Sequence, residues 1–229
     1  MDAVSQALLE AQTKAEALFA AVVAGGLIKA GKLESELSED IHQLARDRFG
    51  VQRHWHKRIA RAGSNTLLGY HDETADRRID ADDIVYLDFG PVFESWEADF
   101  GRTYVLGADP HKHRLVADLA VAFRQGKDYF ENNLQATAGE LYDFVADLAL
   151  QRGWQFGAAT AGHLIGHFPH ETAAGEPKRF SIRHGNPQSL REPDGNGRPR
   201  HWILEIHLVD RARQIGGFFE ELLTVPTPR

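Results

Sequence analysis

The sequence predicts one mixed α/β domain of the α+β kind, and a weak internal repeat is compatible with two related halves that each combine a helix with a strand hairpin. Helical apolar spacing, strand-type runs and a weak internal repeat indicate this class. With 229 residues, 42% of them apolar and 26% charged, the chain can bury a sizeable core in one domain. We expect a single catalytic domain over residues 1–229, with an extra helix at about 2–24 and no separate amino-terminal domain.

Local patterns predict the elements in chain order. Apolar residues on helical spacing predict helices over residues 2–24, about 37–49, 114–134 and 140–152. The first helix should end at Gly25-Gly26, since glycine commonly follows the last helical turn. Runs of β-branched and aromatic residues predict one hairpin within 82–107 and a second in WILEIHL and FFEELLTV. The stretch GNPQSLREPDGNGRP, residues 185–199, predicts a polar loop.

The internal repeat has two interpretations. Aligning residues 36–50 with 140–154 pairs Glu36 with Glu140 and Leu37 with Leu141, and further apolar positions also match. The simpler interpretation is that amphipathic helices resemble one another. The other is a duplicated helix-plus-hairpin unit, which would give a pseudo-symmetric fold with its site between the halves.

Composition argues against several classes of protein. The chain contains no cysteine, which excludes disulfide frameworks, thiol nucleophiles and cysteine-ligated zinc or iron–sulfur sites. A net charge of −7 disfavours a protein that binds nucleic acid through its phosphate backbone. There is no long apolar run and no basic segment that leads into an apolar one, so we expect no membrane span and a cytoplasmic location.

Two pairs of carboxylates stand in strand-like surroundings. Asp88 and Asp99 are symmetric about a turn centred between residues 93 and 94, so we expect them directly opposite each other on one face of the hairpin. Glu205 and Glu220 are likewise symmetric about a turn at residues 212–213. Glu221 should point to the other face, towards water. Carboxylates so close repel one another unless a cation or a shared proton lies between them.

A third segment, AGHLIGHFPHE at residues 161–171, supplies His163, His167 and His170. Its two glycines and its proline make a regular helix unfavourable, which excludes the helical two-histidine zinc motif of metalloproteases. One histidine together with four carboxylates is an oxygen-rich donor set that suits two divalent cations. Pairs of cations bridged by carboxylates occur in dinuclear hydrolases.

These segments resemble the pita-bread metallopeptidases, the family of methionine aminopeptidase, Xaa-Pro aminopeptidase and prolidase. LDFGPVFESWEADFGRTYVLG resembles the paired-aspartate hairpin of the family, GHLIGHFPHE its histidine segment and FFEELLTV its closing strand. The resemblance covers about residues 37–225. It implies the pita-bread fold, in which two pseudo-twofold related halves surround the metals on a curved antiparallel sheet.

The resemblance also implies a site. Asp88 would chelate one cation, Asp99 and Glu220 would bridge both, and His163 and Glu205 would bind the other. The cations would be Mn²⁺ in the first place, with Co²⁺ and Zn²⁺ as alternatives, and would lower the pKa of a bridging water to give hydroxide. Glu205 would also move the proton. Two further histidines would have catalytic roles, His71 at the substrate and His170 at the tetrahedral intermediate.

Three positions depart from the family pattern. Ile206 follows Glu205 where the family has proline. Phe218 stands where the Xaa-Pro branch usually has arginine, and Ala159 where that branch tends to have histidine. These departures leave the predicted ligands in place and concern the substrate.

The resemblance implies hydrolysis of a peptide bond near a free amino terminus, with Xaa-Pro aminopeptidase or dipeptidase specificity as the first choice. The alternatives are a methionine aminopeptidase-like peptidase, a pita-bread binding protein and a hydrolase of non-peptide amides. The expected partner is a small peptide substrate, with neither nucleic acid nor a membrane. A homodimer is left open.

Overall fold

The computed structural model describes residues 2–170 and 179–225 and consists of helices packed on an antiparallel sheet. The helices are α1 Ala3–Ala24, α2 Glu34–Phe49, α3 Pro110–Asn132 and α4 Ala138–Gln151, with a 3-10 turn at Gly63–Leu67. The strands are β1 Ile59–Ala62, β2 Ile84–Phe89, β3 Val92–Phe93, β4 Trp96–Glu97, β5 Phe100–Val105, β6 Gln155–Phe156, β7 Leu164–Ile165, β8 His201–Asp210 and β9 Ile215–Leu222. The predicted helices and hairpins are all present.

Within the described residues, seven strands form one sheet in the order β1-β2-β5-β9-β8-β6, and β7 pairs with β8. Each half of the sheet contains one hairpin, β2–β5 or β8–β9, and each hairpin is preceded in the chain by a helix, α2 or α4. The halves meet where Gly101 of β5 pairs with Glu220 of β9. The duplicated helix-plus-hairpin arrangement is confirmed, and its seam lies at the centre of the sheet.

Each half has its own apolar core. Leu18 of α1 and Leu37 of α2 pack against Phe89 of β2 in a cluster that belongs to the first half. Val145 of α4 packs with Leu204 of β8 in the cluster of the second half. Burying one such side chain completely contributes about 1.5–3 kcal/mol, so these clusters hold the sheet rigidly under its helices.

The helices begin and end with recognisable capping residues. Asp2 accepts a hydrogen bond from the backbone N–H of Ser5 at 2.8 Å, which caps α1. Thr137 and Glu140 form a capping box at the start of α4. Gly50, with φ of 69°, ends α2 in the left-handed conformation. None of the helices in the part of the chain described has the length and apolar character needed to cross a bilayer.

The predicted register of the first hairpin was wrong by two positions. Asp88 pairs with Gly101 rather than with Asp99, which lies one residue before β5. The cause is the turn, which falls at Glu94-Ser95 because β3 pairs with β4 through Phe93 and Trp96. Side chains alternate along a strand, so a shift of two keeps both aspartates on one face.

The second hairpin has the predicted register, because Glu205 pairs directly with Glu220. The expectation that Glu221 points to water was wrong. Glu221 lies on the opposite face from Glu220, but its carboxylate is only 14% exposed and pairs with the guanidinium of Arg102. The guanidinium of Arg102 also packs on the rings of Phe100 and Phe219, so the ion pair lies against the sheet instead of extending into water.

Gly162 generates a stability prediction. Its φ is +137°, and a Cβ atom there would lie 2.1 Å from the carbonyl oxygen of Ile203. Gly162→Ala should therefore lower the free energy of unfolding by about 2 kcal/mol or more, measured by thermal or urea denaturation. Gly195→Ala is the control, since no atom of the described residues lies within 4 Å of a Cβ atom added there, and it should change stability by less than about 0.5 kcal/mol. Equal stability of the two variants would contradict this account of the segment.

Candidate metal centre

Four carboxylates converge at the seam of the sheet. Asp88 lies on β2, Asp99 just before β5, Glu205 on β8 and Glu220 on β9. Asp88, Asp99 and Glu220 are 7%, 4% and 2% exposed, which is exceptional for acidic residues. The pairing of β5 with β9 and of β8 with β9 brings the four strands side by side, so that these side chains share one face.

Asp99 lies at the middle of this cluster, between two imidazoles. The Nε2 atom of His163 lies 3.1 Å from Asp99 Oδ2 and 3.4 Å from Glu205 Oε1. On the other side, the Nε2 atom of His56 lies 3.0 Å from Asp99 Oδ1 and 3.5 Å from Asp88 Oδ1. Each oxygen of Asp99 therefore faces a different histidine and a different neighbouring carboxylate.

The electrostatics of the cluster show a shortage of positive charge. Burial raises the pKa of Asp88 and that of Glu205 to about 7. Burial and the carboxylates around it raise the pKa of Glu220 well above its ordinary value. Asp99 is the exception, because the two imidazoles outweigh burial and lower its pKa. A buried cation would remove the penalty for ionising the other three.

The donor atoms fit a divalent cation. Ligand atoms of Asp99, His163 and Glu220 lie within 4.8 Å of one another, as do those of His56, Asp88 and Asp99. The Oε2 atom of Glu220 is buried and has no hydrogen-bond partner among the described residues, which is costly for a carboxylate oxygen unless a cation binds it. Carboxylate oxygens and imidazole nitrogens are ligands for Mn²⁺, Co²⁺ and Zn²⁺.

A cavity of about 560 Å³ opens above the carboxylates. Its walls are largely apolar and aromatic, including Tyr86, Leu164, Phe180 and Phe218. A space of this size, with polar groups at its floor and apolar walls, is typical of a site for a small organic ligand.

The two other histidines predicted for the site both line this cavity, at different depths. His71 is exposed and stacks edge-on against Tyr70, with ring centroids 5.1 Å apart. His170 lies deeper, with its ring nearly parallel to that of His163 at 6.4 Å. Its Nδ1 atom donates to Glu97 Oε2 at 2.6 Å, and its backbone N–H donates to Glu97 Oε1. Glu171, the last residue of the segment AGHLIGHFPHE, lies outside the described residues.

Sequence analysis missed two residues of the site, His56 and Glu97. His56 stands in an irregular segment ahead of β1, and the pairing of β1 with β2 together with the backbone hydrogen bond from Trp55 to Gly90 brings it to Asp88. Glu97 stands two residues before Asp99, a spacing that puts two side chains on one face of an extended chain. The two-residue spacing from Asp99 was the signal that could have identified Glu97. For His56 the available signal was its position in the sequence His-Trp-His, residues 54–56, ahead of a strand.

The duplicated fold and the buried carboxylate–histidine cluster define the pita-bread class of metal-binding proteins. Residues 6–194 match the metallopeptidase family M24, and the chain belongs to that family. The fold is shared with solved structures. The dipeptidase PepE from Mycobacterium ulcerans has a TM-score of 0.77 at 22% identity, covering 100% of this chain and 59% of that chain. The Xaa-Pro dipeptidase from Bacillus anthracis has a TM-score of 0.77 at 21% identity, covering 100% of this chain and 62% of that chain.

Similarity to curated proteins covers a smaller part of the chain. The Xaa-Pro dipeptidase of Pyrococcus horikoshii is 25% identical over 145 residues, which cover 63% of this chain and 40% of that protein. The Xaa-Pro dipeptidase of Pyrococcus furiosus is 25% identical over 146 residues, which cover 63% of this chain and 41% of that protein. The chain therefore spans about two-fifths of the length of the curated relatives that it matches.

Glu220 and its neighbour Glu221 provide a matched test of the centre. Glu220→Gln removes one buried charge at nearly constant shape, so we expect the protein in EDTA to melt higher and to gain less stability from added Mn²⁺. Glu221→Gln weakens the ion pair with Arg102 on the other face, so it should melt lower in EDTA and keep the full stabilisation by Mn²⁺. Differential scanning fluorimetry measures both effects. A Glu220→Gln protein that melts lower in EDTA and responds to Mn²⁺ as the unmodified chain does would contradict the assignment.

Proposed function

We propose that the protein is a metal-dependent exopeptidase that cleaves a peptide bond near a free amino terminus, with Xaa-Pro dipeptides or short Xaa-Pro peptides as substrates. The observation that carries this proposal is the cluster of four carboxylates and a histidine at the floor of a cavity large enough for a short peptide. Membership of family M24 and the Xaa-Pro dipeptidases among its relatives support the same reaction.

We assign five side chains as ligands of two divalent cations. Asp88 would hold one cation, His163 and Glu205 the other, and Asp99 and Glu220 both. The two oxygens of Asp99 face opposite sides of the cluster, as a bridging carboxylate requires. Mn²⁺ is our first choice because oxygen donors dominate, and Co²⁺ and Zn²⁺ are the alternatives.

When bound, such a pair of cations polarises a carbonyl oxygen and acidifies a water molecule. Glu205 would take a proton from the attacking water and pass it to the leaving amine, a role supported by its position beside His163 at the cavity floor. His170, paired with the buried carboxylate of Glu97, would in its doubly protonated form donate from its other ring nitrogen to the developing oxyanion. Glu97 acts through His170 and is a positioning residue.

The cavity also bears on the substrate. The aromatic walls suit a compact apolar side chain such as that of proline. His71, exposed at the cavity, is the residue proposed to contact the part of the substrate beyond the scissile bond.

The first experiment compares hydrolysis of Xaa-Pro dipeptides, peptides with amino-terminal methionine and non-peptide amides, each with added Mn²⁺ and with EDTA. Metal-dependent cleavage of the Xaa-Pro dipeptides supports the proposal. A preference for methionine peptides or for non-peptide amides would replace it with one of those activities. Tight binding without turnover of any of them would indicate a pita-bread binding protein.

Glu205→Gln tests the proton-transfer role. The amide keeps the volume and cannot accept the proton, so we expect kcat to fall by about 10²–10⁴-fold. Glu73→Gln, an exposed residue close in sequence to His71, is the control and should keep the activity of the unmodified chain. Equal loss in both variants, or none in Glu205→Gln, would overturn the role given to Glu205.

Phe218→Arg tests specificity. Phe218 lines the cavity and packs against Tyr86, with ring centroids 5.5 Å apart, so it presents an apolar wall. An arginine there could pair with a free substrate carboxylate, so kcat/KM for Xaa-Pro dipeptides relative to their amidated forms should rise by about tenfold. Phe218→Leu, which adds no donor, should leave this ratio unchanged. If Phe218→Arg leaves the ratio unchanged while the melting temperature falls, Phe218 is a packing residue.

A further inference from the structure

We propose that His56 is an additional ligand of the metal centre and binds, through Nε2, the cation held by Asp88. The proposal rests on the two-cation centre proposed above and adds to it a nitrogen donor on the side that has only carboxylates. It assigns a direct chemical role to a histidine that no motif in the sequence singles out.

The first argument is that His56 and His163 occupy equivalent positions around Asp99. His56 Nε2 lies 3.0 Å from one oxygen of Asp99, and His163 Nε2 lies 3.1 Å from the other. The nearest second carboxylate is Asp88 for His56, at 3.5 Å, and Glu205 for His163, at 3.4 Å. The two halves of the fold thus present matching sets of one imidazole and one carboxylate on either side of the shared aspartate.

The second argument concerns the proton on each ring. His56 Nδ1 lies 2.7 Å from the carbonyl oxygen of Lys57, and His163 Nδ1 lies 2.7 Å from that of Leu164. A carbonyl only accepts hydrogen bonds, so Nδ1 carries the proton and the neutral ring has its lone pair on Nε2. This is the arrangement that orients a metal-binding histidine. In both rings Nε2 faces carboxylate oxygens, so a cation bound between them would take the place of the Nε2 proton and keep the contact attractive.

The third argument is that the observed separations match a coordination sphere. With metal–ligand bonds of about 2.1 Å, neighbouring donor atoms lie about 3.0 Å apart in an octahedron and about 3.4 Å apart in a tetrahedron. The distances from His56 Nε2 to Asp99 Oδ1 and Asp88 Oδ1, 3.0 and 3.5 Å, lie within about 0.1 Å of this range, so one cation can contact all three atoms. The His56 side chain is 6% exposed, so the ring is held in place.

The surrounding backbone holds His56 in this position. The preceding residue, Trp55, donates its backbone N–H to Gly90 O at 2.9 Å and its indole N–H to Ala98 O at 3.0 Å. Gly90 leaves the space that the imidazole fills, because a Cβ atom there would lie 2.2 Å from the His56 ring. The hairpin that carries Asp88 and Asp99 therefore also holds the His56 ring in position.

The test uses the whole chain, freed of metal and titrated with Co²⁺. An imidazole that binds Co²⁺ through Nε2 keeps its proton on Nδ1 and gives one strongly shifted, solvent-exchangeable proton signal. We expect two such signals from the fully loaded chain, one from His56 and one from His163. In His56→Phe one signal disappears, and calorimetry should show one of two Co²⁺ equivalents bound at least about tenfold more weakly. His163→Phe should lose the other signal.

The controls separate this proposal from the two-cation centre and from misfolding. His54→Gln changes a histidine of the same segment whose ring lies against His42 and Phe89, and it should keep both signals and both equivalents. A single exchangeable signal from the unmodified chain with two Co²⁺ bound overturns the proposal without any variant. Two equivalents and two signals in His56→Phe also overturn it. If the unmodified chain binds fewer than two equivalents, the two-cation centre itself fails.

Discussion

The repulsion among four buried carboxylates is the interaction on which the centre of this protein depends. Asp88, Asp99, Glu205 and Glu220 come from four strands of one sheet, and three of them are almost inaccessible to water. Moving ionised groups out of water costs several kcal/mol each unless an opposite charge is close. Asp99 lies closest to the two imidazoles, at 3.0 and 3.1 Å, which is why its pKa is lowered while those of the other three are raised. The rest of the cluster is complementary to cations supplied from outside.

The duplicated architecture explains how the chain tolerates this arrangement. Each half supplies a hairpin backed by its own apolar core. The free energy gained by apolar packing on the other face of the sheet offsets the free-energy cost of burying the carboxylates. Small residues complete the seam. Gly101 pairs with Glu220, and a Cβ atom at Gly101 would lie 2.5 Å from the ring of Phe218. Because Gly101 has no side chain, the ring of Phe218 in the cavity wall can pack closely against β5.

Sequence reasoning succeeded where the signal was local. The helices, the second hairpin and its register follow from periodicity and symmetry about a turn, and Glu205 opposite Glu220 is the clearest case. The first hairpin was misread by two positions, yet the inference that Asp88 and Asp99 share a face survived because strand faces repeat every two residues. The place of His56 could not be read in this way. It depends on β1 pairing with β2, a contact between distant segments, and the residues around His56 follow neither helical nor strand periodicity.

The departures from the Xaa-Pro pattern concern the walls of the cavity rather than its floor. His207 lies two residues after Glu205 on β8. It is buried and neutral, because burial lowers its pKa to about 4. Its Nε2 atom lies 2.9 Å from the carbonyl oxygen of Thr66, so it supports the 3-10 turn beside the cavity. Phe218 and Ala159 line the same cavity without a charged group. The carboxylate–histidine cluster and the cavity walls are therefore separable parts of this site, since apolar walls can change without moving any carboxylate.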